Sequence, residues 1–442
     1  MPALPYSKKR YYLSGIDWII GALNSYMHST TSVGNHSTLV LELAESLNEL
    51  KLRERLDLIF TLYPMLSGKI VRDLVNLAPY FKPSGRNKQK YDFRIVKLSK
   101  EDEYSAECRR VLNSPFSGDT VYFAFTLISC GTRRVLMMTF DHRILDARGA
   151  ELFLELLSGN DEKKLRSSQD NIKVTDAPQL MEWSDKFASG RTVQRKIIEL
   201  TKGGCYTPSK YIMGDFSKSS EDNLLPDFYH FSERETCGIH DKSEEMAGYM
   251  METPYLLAVT SLASYRVSES DEPLKYFVPV PIDMRKKGEE ARRTFCNHLS
   301  FLFFYFDISK NTTLESLTCE IRRQFFMQIA DEFPENMVKA AYPGRIFPLW
   351  LLKRFMRFPF SGKMSSFVFA NVGVTSFSSG DIVGTDVKSL HHMPRIPTPP
   401  GIGIFFNTYK KQLNLTVTSD RGALRDGFGE RVKDQIVSTL LL

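Results

Sequence analysis

Paired cysteines are missing from this chain. Its six cysteines, Cys108, Cys130, Cys205, Cys237, Cys296 and Cys319, stand singly, with no Cys-x-x-Cys among them. That scatter argues against a zinc site or a disulfide framework and suits a reducing, cytoplasmic setting. Long apolar runs are missing too. Lys8-Lys9-Arg10 precedes the fairly apolar Tyr11 to Leu23, but Asp17 and Asn24 interrupt the run and no small-residue cleavage site follows, so a soluble protein is expected. No Gly-x-Ser-x-Gly elbow, Walker loop, Gly-x-Gly-x-x-Gly or metal-spaced His or Cys set occurs. His391 and His392 are adjacent, and on a strand they would point to opposite faces, which makes them a poor pair of metal ligands. The net charge of +6 is mild and comes without a nucleic-acid motif. It would favour an acidic carrier protein, coenzyme A phosphates or an anionic membrane surface over nucleic acid, with plain solvated surface as the alternative.

With 442 residues, the chain can build two cores, since single cores rarely grow past about 250 to 300 residues. Composition divides it into a first lobe over 1–165, a polar crossover over 166–230 and a second lobe over 231–442. Within the first lobe, Ser46-Leu-Asn-Glu49 is a capping-box pattern opening a core-facing helix that Pro64 stops. His28 and His36 fall in a Ser/Thr/Gly/Asn-rich stretch that reads as loop, ahead of an edge-like strand over Ser37 to Leu43. Arg109 to Ser117 also reads as loop. Thr120 to Ser129 and Thr132 to Phe140 read as a hairpin turning at Cys130-Gly131.

The second strand of that hairpin ends in the most informative stretch of the chain. The apolar run Val135 to Phe140 meets Asp141-His142-Arg143-Ile144-Leu145-Asp146-Ala147, and a helix then begins near Gly149 with Leu152, Leu156 and Leu157 on one face. This arrangement places the imidazole of His142 at the rim of a core. In the second half, a strand over Tyr276 to Asp283 leads to Arg285, and Cys296-Asn297 precedes the strand that runs to Phe306. A further strand over Ser365 to Val374 carries Asn371 and Gly373. Thr312-Thr-Leu-Glu315 is a second capping box, and a hairpin turns around Lys410-Lys411. Phe347 to Phe360 is basic and aromatic together. It reads as an amphipathic packing helix, with a membrane-surface or lipid-facing role as the alternative.

His-x-x-x-Asp after an apolar strand, here His142 and Asp146, resembles the signature of the acyltransferase superfamily that includes chloramphenicol acetyltransferase, peptide-synthetase condensation domains, bacterial wax ester synthases and the plant BAHD enzymes. The usual form is His-His-x-x-x-Asp-Gly, so Asp141 stands for the first His and Ala147 for the Gly. The segments Ile282-Asp283-Met284-Arg285, Cys296-Asn297 and Ala370-Asn371-Val372-Gly373 resemble the superfamily's Val-Asp-x-Arg, Gly-Asn and Ser-Asn-x-Gly. The resemblance implies an α/β fold of two lobes, each a mixed, mostly antiparallel sheet flanked by helices, with a tunnel between them. It implies acyl transfer from a thioester, acyl-coenzyme A or a phosphopantetheine-linked carrier protein, to a small-molecule or lipid acceptor bearing a hydroxyl or amine. No bound cofactor is expected.

By the same resemblance His142 is the general base, and Asp146 turns away from it to pair with Arg285. An imidazole of ordinary pKa, about 6.5, can take a proton from an alcohol or amine at neutral pH and return one to the leaving thiolate. Asp141 reads either as orienting a substrate amine or as capping the turn. Asn371 and Asn297 are candidates for substrate or oxyanion hydrogen bonds, the alternative for Asn371 being an amide that satisfies loop backbone. A condensation-type amide synthesis and a binding relative without turnover are the competing expectations.

Overall fold

A computed structural model describes residues 10–31, 33–83, 90–159, 183–201, 223–357 and 365–442. The first lobe is organised on a six-stranded sheet in the order Asp381–Ile382, Thr385–Pro394, His36–Leu43, Arg133–Asp141, Phe123–Cys130, Asp92–Leu98. Neighbours are antiparallel except the last pair, which is parallel. Arg133–Asp141 lies in the middle and is buried from Val135 onward. Its apolar run does not alternate with polar residues because both faces are covered. Leu136, Met138 and Phe140 enter the main core of this lobe, while Val135 and Met137 enter a separate cluster on the other face.

The second lobe holds a four-stranded sheet, Val368–Val374, Ile402–Tyr409, Gln412–Asp420, Leu224–His230, with its first pair parallel. Beside it, Leu274–Asp283 and Leu299–Ile308 pair antiparallel over ten residues. The buried helix Glu252–Ser268 and the helices Glu233–Ala247, Leu314–Ala330 and Phe428–Leu441 complete its core. This is the expected α/β architecture of two mixed, mostly antiparallel lobes.

Several expectations need correction. The lobes are not contiguous, because 381–394 joins the sheet of the first. Its backbone saturates the free edge of His36–Leu43, and Val387 and Leu390 bury in the first core. His36–Leu43 is therefore an interior strand, and His36 opens it opposite Asp141. The stretch 166–230 is more than a crossover: Trp183–Thr201 is a helix packed along Phe333–Ala341, and Leu224–His230 is a sheet strand. Residues 166–182 and 202–222 lie outside the described residues, as do Cys205 and 358–360 of the basic aromatic stretch. Arg109 to Leu112 is not loop but the end of a helix, Glu101–Leu112, in which the adjacent arginines flank the buried Cys108, Val111 and Leu112. The first capping residue is Asn48 rather than Ser46, and the second is Thr313, whose partner is Ser316.

Two buried histidines make this fold acid-sensitive. His36, whose Nε2 meets the Leu112 carbonyl at 3.0 Å, and His391 are each held down to about 3, above all by burial. A depressed histidine pKa means that the unfolded chain takes up the proton first. Stability is therefore full above about pH 6.5 and declines as the pH falls toward 3, by up to about 1.4 kcal/mol per pH unit for each residue. Chemical denaturation at pH 7 and pH 5 is expected to show a loss of several kcal/mol, and His36→Gln combined with His391→Gln should flatten that difference.

Candidate active site

The turn that follows Arg133–Asp141 is fixed from both lobes. The His142 amide donates to the Asn35 carbonyl at 3.1 Å and the Ile144 amide to Asp141 at 2.9 Å. From the second lobe, the Cys296 amide donates to the Ile144 carbonyl at 2.7 Å, and Leu145 and Cys296 form an isolated parallel bridge. Cys296 has φ of +69°, a left-handed conformation that glycine adopts more easily, which accounts physically for the glycine of the resembling motif. Asp146 caps the helix Ala147–Leu157, accepting from the Gly149 amide at 2.7 Å. At Gly149 a Cβ would stand 2.3 Å from the Thr294 carbonyl oxygen, so the lobes touch there through bare backbone. Gly149→Ala is expected to destabilise by about 1 to 3 kcal/mol, the usual penalty of overpacking, measurable by thermal denaturation.

His142 is half-buried at this seam. Its Nδ1 lies 3.1 Å from Oδ1 of Asn297. The Asn297 side-chain amide nitrogen donates to Asp17 Oδ1 at 3.0 Å and to the His142 carbonyl at 2.9 Å, and the Asn297 backbone amide donates to the same Asp17 oxygen at 2.7 Å. A carboxylate and a carbonyl can only accept, so the Asn297 amide has one workable orientation, with Oδ1 toward the imidazole. Nδ1 must then carry the proton, and neutral His142 keeps the lone pair on Nε2. Asp17 is buried in the first turn of helix Gly15–Thr30, and its other oxygen accepts from the Ser14 amide at 2.7 Å. Asn297 thus positions the ring, a different job from the substrate contact expected of it.

Asp146 does not face His142. Arg285 Nη2 donates to it at 2.8 Å and the His298 amide at 2.8 Å, and Arg285 also binds Asp283 and the Arg293 carbonyl. Both members of the pair are almost fully buried. Burial alone would raise the carboxyl pKa of Asp146, but the Arg285 charge and these hydrogen bonds outweigh it and hold the group below its ordinary value. Asp141 is engaged by Arg143, which donates from Nε at 2.9 Å, from Nη2 at 2.6 Å and from its backbone amide at 2.9 Å. It caps the turn as a bidentate ion pair with Arg143, one of the two readings above. Asn371 is not brought to His142. Its amide donates to Glu252 and Thr253 of another helix, and its Oδ1 accepts from the Gly373 amide at 3.0 Å, an asparagine that satisfies its own loop.

Sequence reasoning missed two contributors. Asp17 could have been found from Ser14-x-x-Asp17, a capping box at the start of an apolar run. Arg148 could not, since nothing local marks it. It reaches across the seam to the Val372 and Val374 carbonyls at 2.6 and 2.7 Å and pairs at 2.8 Å with the fully buried Glu151, which also meets His392 at 3.0 Å. His391 and His392 do face opposite ways: His391 packs on Phe228 and His230 of the other sheet.

No protein-family profile matches this chain, and no curated protein sequence does. Solved structures do. The chain is similar to the trichothecene 15-O-acetyltransferase from Fusarium sporotrichioides at 12% identity, covering 98% of this chain and 94% of that one with a TM-score of 0.69. It is similar to the first condensation domain of the calcium-dependent antibiotic synthetase in complex with a substrate analogue, at 14% identity, 98% and 96% coverage and a TM-score of 0.65. It is also similar to the starter condensation domain of rhizomide synthetase in complex with C8-CoA, at 10% identity, 98% and 94% coverage and a TM-score of 0.60. The chain has the chloramphenicol acetyltransferase-like fold that these proteins share.

Proposed function

We propose that this protein is an acyltransferase that moves an acyl group from a thioester, acyl-coenzyme A or a phosphopantetheine-linked carrier, to a hydroxyl or amine. The observation that carries the reading is His142, half-buried at the seam of the lobes with Nδ1 committed to Asn297 and Nε2 left as the base. In the step we envisage, the acceptor O–H or N–H attacks the thioester carbonyl while Nε2 takes its proton. The tetrahedral oxyanion then collapses, the C–S bond breaks, and the imidazolium returns the proton to the departing thiolate. No covalent enzyme intermediate and no bound cofactor are needed. The complex of one structural neighbour with C8-CoA supports a coenzyme A thioester as donor, and the condensation domains among the neighbours support a carrier-bound donor as the second form of the same chemistry.

Asp146 and Arg285 serve this reading by holding the turn against the second lobe. A channel between the lobes leading to Nε2 belongs to the same proposal. Asn297→Ala is expected to lower turnover by up to about a hundredfold with little change in KM, because the ring loses its orientation and its fixed tautomer. To test the function, the purified protein is incubated with acyl-coenzyme A pools and with loaded carrier proteins, each with hydroxyl and amine acceptors, and products are read by mass spectrometry. Ester or amide formation that requires His142 supports the proposal. If His142→Ala leaves thioester consumption and ligand affinity unchanged, the proposal fails, and a binding protein without turnover becomes the better description.

A further inference from the structure

The most exposed apolar side chains described lie at one corner of the first lobe, far in sequence from the His142 turn. Leu74 and Val75 are each 93% exposed at the tip between the strands Lys69–Arg72 and Pro79–Lys82. The tip is closed by hydrogen bonds. The Asp73 amide donates to the Ala78 carbonyl and the Leu77 amide to the Asp73 carbonyl, both at 2.9 Å, and Asp73 Oδ1 accepts from the Val75 amide at 2.9 Å. Two aliphatic side chains are therefore held outward by backbone bonds.

Two aromatics stand at the same corner. The Arg72 guanidinium donates to the Leu77 carbonyl at 3.0 Å and also to the carbonyls of Ile346 and Phe347, so the tip and the start of helix Leu349–Arg357 are joined through one side chain. Phe347 and Trp350 on that second segment are 38% and 65% exposed. Lys353 and Arg354 follow within a turn, without an acidic partner among the described residues. The acid at the base of the tip, Asp73, is already matched by Arg10 and Tyr12.

We propose that this corner docks the protein on an anionic lipid surface, with Leu74 and Val75 entering the apolar layer, Trp350 at the headgroup level and Lys353 and Arg354 against lipid phosphates. Shape favours lipid over a protein partner: a protruding tip needs a matching socket on a folded surface, whereas a bilayer conforms to it. The charge is complementary to acidic headgroups, and an indole beside basic residues suits the interface between water and acyl chains.

The test is flotation of the full chain with phosphatidylcholine vesicles, with and without phosphatidylserine, while tryptophan emission is recorded. Binding is expected to need phosphatidylserine, to weaken with salt and to shift the emission to the blue. Leu74→Ser with Val75→Ser, and separately Lys353→Glu with Arg354→Glu, should each weaken binding at least about tenfold. His142→Ala should not affect it, so this result is independent of the acyl-transfer reading. All four substituted surface side chains are solvent-accessible, and circular dichroism checks that the variants fold. Wild-type protein that is folded yet ignores anionic vesicles at low salt overturns the proposal. So does concentration-dependent dimerisation abolished by the Leu74/Val75 variant without vesicle binding, which would assign the corner to a second copy of the chain.

Discussion

Replacing His142 with alanine is expected to lower thioester turnover by roughly two to four orders of magnitude, the usual worth of a positioned general base. The fold should survive. The ring is only half-buried, and its hydrogen bond to Asn297 is one of four that hold that asparagine in place. Substrate affinity should change little, because the base acts on the proton of the attacking group rather than on the bound acyl chain, so the loss falls on kcat. The comparison is made by following free thiol release from an acyl thioester for wild type and variant, with equal far-ultraviolet circular dichroism as the control for folding.

The second large effect concerns stability. Arg285→Ala removes the charge opposite Asp146 in a site where both side chains are almost fully buried, and it is expected to cost roughly 3 to 5 kcal/mol, the penalty for stranding a buried carboxylate. The loss should reach catalysis as well, since the same carboxylate accepts from the amides of Gly149 and His298 and so joins the first helix of the His142 turn to the second lobe. Asp146→Asn is also expected to destabilise: its one amide oxygen can replace Oδ1 toward Gly149 and Arg285, but its NH2 then faces the His298 amide, which donates to Oδ2. The pH dependence of the two effects separates them from the histidine-driven acid loss. A carboxyl whose folded pKa is depressed contributes stability above its ordinary range and loses it as the pH falls through the lowered value. The Asp146–Arg285 contribution therefore persists at pH 5, where the buried His36 and His391 already weaken the fold. Urea unfolding of wild type and Arg285→Ala at pH 7 and pH 5 should show a difference between the two proteins that narrows at pH 5, because without Arg285 burial raises the Asp146 carboxyl and its protonation relieves the stranded charge.

The parts of this molecule that were legible in the sequence are those governed by local pattern. The central strand could be read because the run Val135 to Phe140, apolar but for Thr139, ended abruptly in charge, and the 123–141 hairpin because Gly131 supplies the positive φ that its turn requires. The Asp146–Arg285 pair followed from resemblance and is present at 2.8 Å. What stayed hidden depends on contacts far apart in the chain. Nothing local says that 381–394 will pair with His36–Leu43, since its apolar residues would suit the edge of either sheet. His36 looked like a loop residue because its neighbours are small and polar. Tertiary burial against Leu112 and Phe116 decides its state instead. Asp17 lies 280 residues from Asn297, and only the packing of helix Gly15–Thr30 against the second half brings them together. Asn297, just ahead of the strand Leu299–Ile308, and Asn371, within the strand Val368–Val374, carry the same functional group. One meets an imidazole and the other a glutamate and a threonine, a difference that the fold alone sets.

The base role of His142 depends most directly on which of its nitrogens bears the proton, and this can be observed without knowing the substrate. Long-range proton–nitrogen correlation spectra of protein labelled with nitrogen-15 at histidine, with His142 assigned by its disappearance in His142→Ala, report the tautomer at neutral pH. The arrangement of Asp17, Asn297 and His142 predicts a protonated Nδ1 and a bare Nε2, with the preference lost in Asn297→Ala. A His142 signal with the proton on Nε2 in the wild-type protein would contradict it, because the nitrogen assigned to the base would then have no lone pair to offer.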